Sequence, residues 1–104
     1  MLRAIKHLIE AAKAGRTSKA EGNHSFQCRN GIWYFRYHWS NICVADPKRH
    51  LVAYDNHGFN TNSTTRAINS YKEEFGWYRE VNIQVIEHKE ELQEEENGRV
   101  NQDT

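Results

Sequence analysis

Residues 32–39 read Ile-Trp-Tyr-Phe-Arg-Tyr-His-Trp, and this run constrains the fold more than any other part of the 104-residue chain. Five of its eight residues are aromatic. In an extended strand successive side chains point to opposite faces, so Trp33, Phe35, Tyr37 and Trp39 fall on one side. Tyr34, Arg36 and His38 fall on the other. A wholly aromatic face is a core face, because each ring takes a large apolar area out of water. The opposite face carries polar-tipped side chains suited to contact with another molecule.

The flanking residues extend this strand into a meander. Ser25 to Arg29 reads as a short strand, and Asn30-Gly31 is the strongest hairpin-turn dipeptide, since both residues tolerate positive φ. Ser40-Asn41 makes a second tight turn, Ile42 to Ala45 returns, and Asp46-Pro47-Lys48-Arg49 turns again before a strand from His50 to Tyr54. Pairing Trp39 with Ile42 and Ala45 with His50 gathers Phe35, Tyr37, Trp39, Ile42, Val44, Leu51 and Ala53 into a core face. The other face becomes Tyr34, Arg36, His38, Cys43, Ala45, His50, Val52 and Tyr54. A slip of one residue scrambles both sets, so their coherence argues for this register. It assigns the tryptophans of the run to folding.

Leu2, Ile5, Leu8, Ile9 and Ala12 recur at helical spacing, and Gly15 can end that helix. Residues 16–23 are polar and read as a linker. Asn56-His57-Gly58 turns the chain, with Phe59 as its anchor. Residues 60–65 are dense in helix-capping side chains. A helix follows to about Phe75, with Ala67, Ile68, Tyr71 and Phe75 on one face and Gly76 just past its end. Trp77 to Ile86 reads as a last strand, with Val81, Ile83 and Val85 alternating. The expected order is α-β-β-β-(β)-α-β. This is an α+β domain: an antiparallel three- to five-stranded sheet, with an N-terminal helix and a second helix packed on it. Residues 1–86 form a single domain, and 87–104 an acidic, flexible tail.

Formal net charge is zero, but the N-terminal residues are basic and the C-terminal ones acidic. No run of about 18 apolar residues exists to span a membrane. Cys28 and Cys43 show no paired spacing, which points to free thiols and a cytoplasmic setting. His24, Cys28, Cys43 and His50 lack finger-type metal spacing, so histidines on turns and edges, and cysteines packed as small hydrophobes, are the better account. In the register above His38 lies opposite Cys43, and His38 with His57 could serve hydrolysis, yet no motif supports a reaction. Residues 60–65 can hold a phosphate at a helix start, although self-capping is the simpler use. The expectation is a protein without enzymatic activity, cofactor or metal.

Two resemblances add to this. Gly58-Phe59-Asn60-Thr61, followed by a helix bearing Ala67 and Tyr71, resembles the layout of the AP2-type DNA-binding domain of plants and phages. That resemblance implies a sheet laid in the major groove. The aromatic strand, the hairpin with Ile42-Cys43-Val44-Ala45, and residues 61–65 running into Ile68-Asn69 resemble a family of small phage and prophage accessory proteins. Membership implies a product that binds and disables host machinery. The first expectation is therefore a non-catalytic binding protein of phage or mobile-element type. It would occupy a host protein or ribonucleoprotein such as a CRISPR effector, in the manner of an anti-CRISPR inhibitor, with Tyr34, Arg36, His38 and Tyr54 as the contact face. The alternative is a sheet-type nucleic-acid binder using Arg29, Arg36, Lys48, Arg49 and the basic N-terminus. Neither reading involves a membrane or implies an oligomeric state.

Overall fold

A computed structural model of the chain describes residues 1–88. The elements are α1 (Arg3–Lys13), β1 (Ser18–Glu21), β2 (His24–Arg29), β3 (Ile32–Tyr37), β4 (Ser40–Asp46), β5 (Leu51–Tyr54), α2 (Asn62–Phe75), β6 (Arg79–Glu80) and α3 (Ile83–Glu87). The α+β class expected from the sequence holds. The sheet has six strands in the order β1-β2-β3-β4-β5-β6, antiparallel except for the parallel β5–β6 pair. The expected tail begins with Glu87 and His88, which are the end and cap of α3. The rest of it, 89–104, lies outside the described residues.

The aromatic strand does nucleate the core. Phe35 is fully buried, with ring centroids 4.7 Å from Tyr71 and 5.8 Å from Phe75 of α2. Ile5, Leu8, Ile9 and Ala12 of α1 pack over β1 and β2 and join Phe26, Cys43, Ala45 and Val52 in the same core cluster. The Asn30-Gly31 turn forms as expected, with φ of 53° and 78°. At Gly76 the requirement is space, since a Cβ there would meet the Lys72 carbonyl oxygen at 2.6 Å.

Five expectations are corrected. The segment read as a linker holds β1, which pairs with β2 through Ser18↔Gln27 to Glu21↔His24. On its inner face Glu21 is polar but partnered, accepting from His7 Nδ1 of α1 at 2.8 Å, so apolar patterning could not reveal the strand. The turn after β3 is His38-Trp39, closed by the Tyr37↔Ser40 pair, and not Ser40-Asn41. A bulge between Phe35 and Arg36 then sets Phe35 opposite Cys43 and Tyr34 opposite Val44. The bulge inserts one extra residue, which is why the coherent one-step register fails. His50 lies in the turn before β5 with φ of 56°. Finally, the expected last strand is only β6 followed by α3, because the Asn82 side chain accepts from Gln84 N at 2.9 Å and starts a helix there.

These corrections give the sheet two covered faces. Ile32, Tyr34, Val44 and Ala53 pack with Ile86 of α3, flanked by Leu51, Val81 and Ile83. α1 and α2 cover the other face.

Candidate functional site

Strand alternation puts two sets of loops at opposite ends of the sheet. One end collects the β1–β2 turn, the His38-Trp39 turn and the loop from Asp55 to Thr61. At this end a cleft of about 500 Å³ is lined by Tyr37, His38, Trp39, Ser40, Ile42, Phe59, Thr61, Ser63 and Thr64. Trp39 is 89% exposed and Phe59 55% exposed. A tight two-residue turn, with His38 at φ 56°, holds Trp39 out from the sheet. Two large aromatic side chains standing in solvent beside a cleft mark an interaction site more readily than scattered apolar residues do.

The walls are ordered by their own hydrogen bonds. Thr61 caps α2 by accepting from Thr64 N at 3.2 Å. The loop bearing Phe59 is pinned to β4, where His57 Nε2 lies 2.6 Å from the Asn41 carbonyl oxygen. A carbonyl only accepts, so Nε2 carries the proton. Asp55 accepts from His57 N at 2.7 Å, Asn56 Oδ1 from Gly58 N at 2.9 Å and the Asn56 carbonyl from Phe59 N at 2.8 Å. Behind the cleft His24 stacks on Tyr37 with centroids 4.8 Å apart. Burial, then the nearby His38, holds the His24 imidazole below its ordinary value, against a smaller upward pull from Glu21.

The four residues expected to form one contact face do not share a surface. His38 lines the cleft. Tyr34 is 7% exposed beneath α3, with the Arg29 guanidinium 4.4 Å from its ring. Burial raises its hydroxyl pKa, Glu87 adds to the rise and Arg29 opposes it. Arg36 alternates with Tyr34 on that face and donates from Nε to Asn41 Oδ1 at 3.2 Å. Tyr54 sits on the α1–α2 side opposite Cys43. The expected adjacency of His38 and Cys43 is likewise undone, because Cys43 is fully buried opposite Phe35 and burial pushes its thiol up.

Of the alternative set, Arg29 and Arg36 share the α3 side, whereas Lys48 and Arg49 lie in the β4–β5 turn. Arg49 donates from Nε to Asp46 Oδ2 at 2.7 Å and from Nη2 to the Val85 carbonyl at 3.3 Å. Among the described residues no three or more His, Cys, Asp or Glu side chains group as metal ligands. No described helix is long and apolar enough to cross a membrane.

The sequence places Trp39 on the core face and Phe59 as a loop anchor, and the structure exposes both. Phe59 carried a signal, being an isolated large apolar residue among polar loop residues. Trp39 carried a weaker one: histidine is enriched among non-glycine residues with positive φ, so His38 was an eligible turn residue. Comparisons with protein-family models, curated proteins and solved structures return no match.

Proposed function

We propose that this chain is a non-catalytic binding protein that docks on a partner protein through the cleft between Trp39 and Phe59. The observation that carries the reading is Trp39, 89% exposed at the tip of a two-residue hairpin turn. An exposed tryptophan offers large contact area with only two side-chain torsions to order, which is why such residues dominate binding energies. The cleft beside it has no Asp, Glu, Lys or Arg in its lining, so an apolar side chain of the partner suits it. The protein acts by occupying the partner's surface, with no bond made or broken. Placing it in the cytoplasm as a phage or mobile-element inhibitor of a host defence effector, anti-CRISPR-like, draws its support from the resemblance carried by residues 33–71.

Capture of host proteins on the immobilised full chain tests this reading, with Trp39→Ala and Phe59→Ala beside the wild type. The expected outcome is a partner held by the wild type and weakened by Trp39→Ala by about 2 kcal/mol, roughly 30-fold. Urea unfolding should match the wild type within about 0.5 kcal/mol, as befits an exposed position. A partner retained equally by both variants, or no partner from any host lysate, defeats the reading.

A further inference from the structure

The end of the sheet opposite the cleft has a different chemistry, and it goes beyond the protein-docking reading. The chain leaves α1, turns between β2 and β3, turns between β4 and β5, and leaves α2 all at this end. Those connections bring Arg16, Arg29, Lys48, His50, Trp77 and Arg79 to it, all exposed. Trp77 is 67% exposed, its ring supported by His50 at 4.6 Å and Tyr78 at 4.6 Å. Arg79 N donates to the His50 carbonyl at 2.9 Å, which ties the tryptophan segment to the β4–β5 turn.

Register fixes the spacing of the two strand arginines at this end. Arg29 pairs with Ile32, Ile32 lies one step beyond the Trp33↔Ala45 pair and so level with Asp46, Asp46 pairs with Leu51, and Leu51 with Arg79. At about 4.8 Å per strand, Arg29 and Arg79 stand roughly 19 Å apart across the sheet. Nearby acids are turned to other uses. Asp46 holds Arg49 and Glu74 holds Lys13, Glu80 lines a hollow with Tyr54 and Lys72 on the helix side, and Glu87 acts on Tyr34. Among the described residues none of Arg16, Arg29, Lys48 and Arg79 has a carboxylate within ion-pair distance. The zero net charge of the chain hides this excess. Residues 1–88 hold twelve Lys/Arg against eight Asp/Glu, and 89–104 hold two against six.

We propose that this basic, tryptophan-bearing end binds single-stranded nucleic acid. Exposed cations gathered at one end release counterions from phosphates, and an exposed, edge-supported indole gives a base a stacking platform regardless of sequence. The flat spread of charge over short turns offers no helix or ribbon to enter a duplex groove, which is why a single strand is the fitting form. Charge alone would also attract an acidic protein; an exposed indole set among cations favours a single strand, whose every base offers a ring face to stack on it.

The test is titration of the full chain into fluorescein-labelled oligothymidylate and oligouridylate, with a duplex of matching length as comparison, from about 20 to 200 mM salt. Binding at low salt with quenching of tryptophan emission is expected. Trp77→Ala should weaken it at least tenfold and remove the quench. The Arg29→Glu/Arg79→Glu double variant should weaken it at least tenfold and flatten the salt dependence. Trp39→Ala should leave affinity unchanged, and circular dichroism confirms that each variant folds. Absence of binding at the lowest salt, equal affinity for the duplex, equal affinity in the Trp77 and arginine variants, or capture of an acidic protein instead of either oligonucleotide overturns the proposal.

Discussion

Tyr71 is the largest fully buried side chain, yet its hydroxyl finds no hydrogen-bond partner among the described residues. A buried donor without a partner costs its desolvation, so removing the oxygen should cost nothing. Tyr71→Phe is expected to leave stability unchanged or to raise it by up to about 1 kcal/mol in urea unfolding, since the ring packing on Phe35 is kept. His24 is one group whose titration couples to folding. Its folded pKa lies below its ordinary 6.5 because of burial first and His38 second. The unfolded chain therefore takes up the proton more readily. The stabilisation associated with neutral His24 is complete above 6.5 and is lost as pH falls from there through the lower folded value. Between neutral pH and about pH 5, the urea midpoint of the wild type should fall further than that of His24→Gln. An equal fall in both proteins would assign the acid sensitivity elsewhere. Trp39 is the opposite case to Tyr71: in a run where alternation predicts burial, the last aromatic is the most exposed large hydrophobic side chain among the described residues.

Among the elements, α3 does the most for its size. Five residues cover the second sheet face, and Ile86 is its fully buried contact with Tyr34, Val44 and Ala53. A helix this short has little stability of its own, so packing must hold it in place. Ile86→Ala should cost about 2–5 kcal/mol of stability, as for other buried isoleucines. Val85→Ala, on its exposed side, should stay within about 0.5 kcal/mol, and parallel denaturant titrations compare the two. The alternation of Val81, Ile83 and Val85 suggests a strand, yet Asn82 starts a helix and directs Ile83 and Ile86, three residues apart, toward the sheet. β1 shows the complementary case, a strand whose inward contact is a histidine–carboxylate bond and so lies outside any apolar pattern.

Taken whole, the molecule has two chemically distinct ends separated by the length of its strands, about 20 Å for six residues. The aromatic cleft lies at one and the cationic tryptophan site at the other. Sites this far apart with no shared partners should behave independently. Trp39→Ala is expected to leave oligonucleotide affinity unchanged and Arg79→Glu to leave protein capture unchanged, each read in the other's assay. α1, α2, the Asn30-Gly31 hairpin and the aromatic core strand were legible in the residues, because each rests on local rules: apolar period, capping side chains and tolerance of positive φ. The bulge after Phe35, the two-residue turn that exposes Trp39, the burial of Tyr34 and the gathering of Arg29, Lys48, Trp77 and Arg79 were not. Ser40-Asn41 is the better turn former by local preference, yet the chain turns at His38-Trp39, and the bulge beyond it sets Phe35, packed on Tyr71 and Phe75, opposite Cys43. A strand states its own two faces, but which face is covered, and by what, depends on contacts between residues distant in the chain.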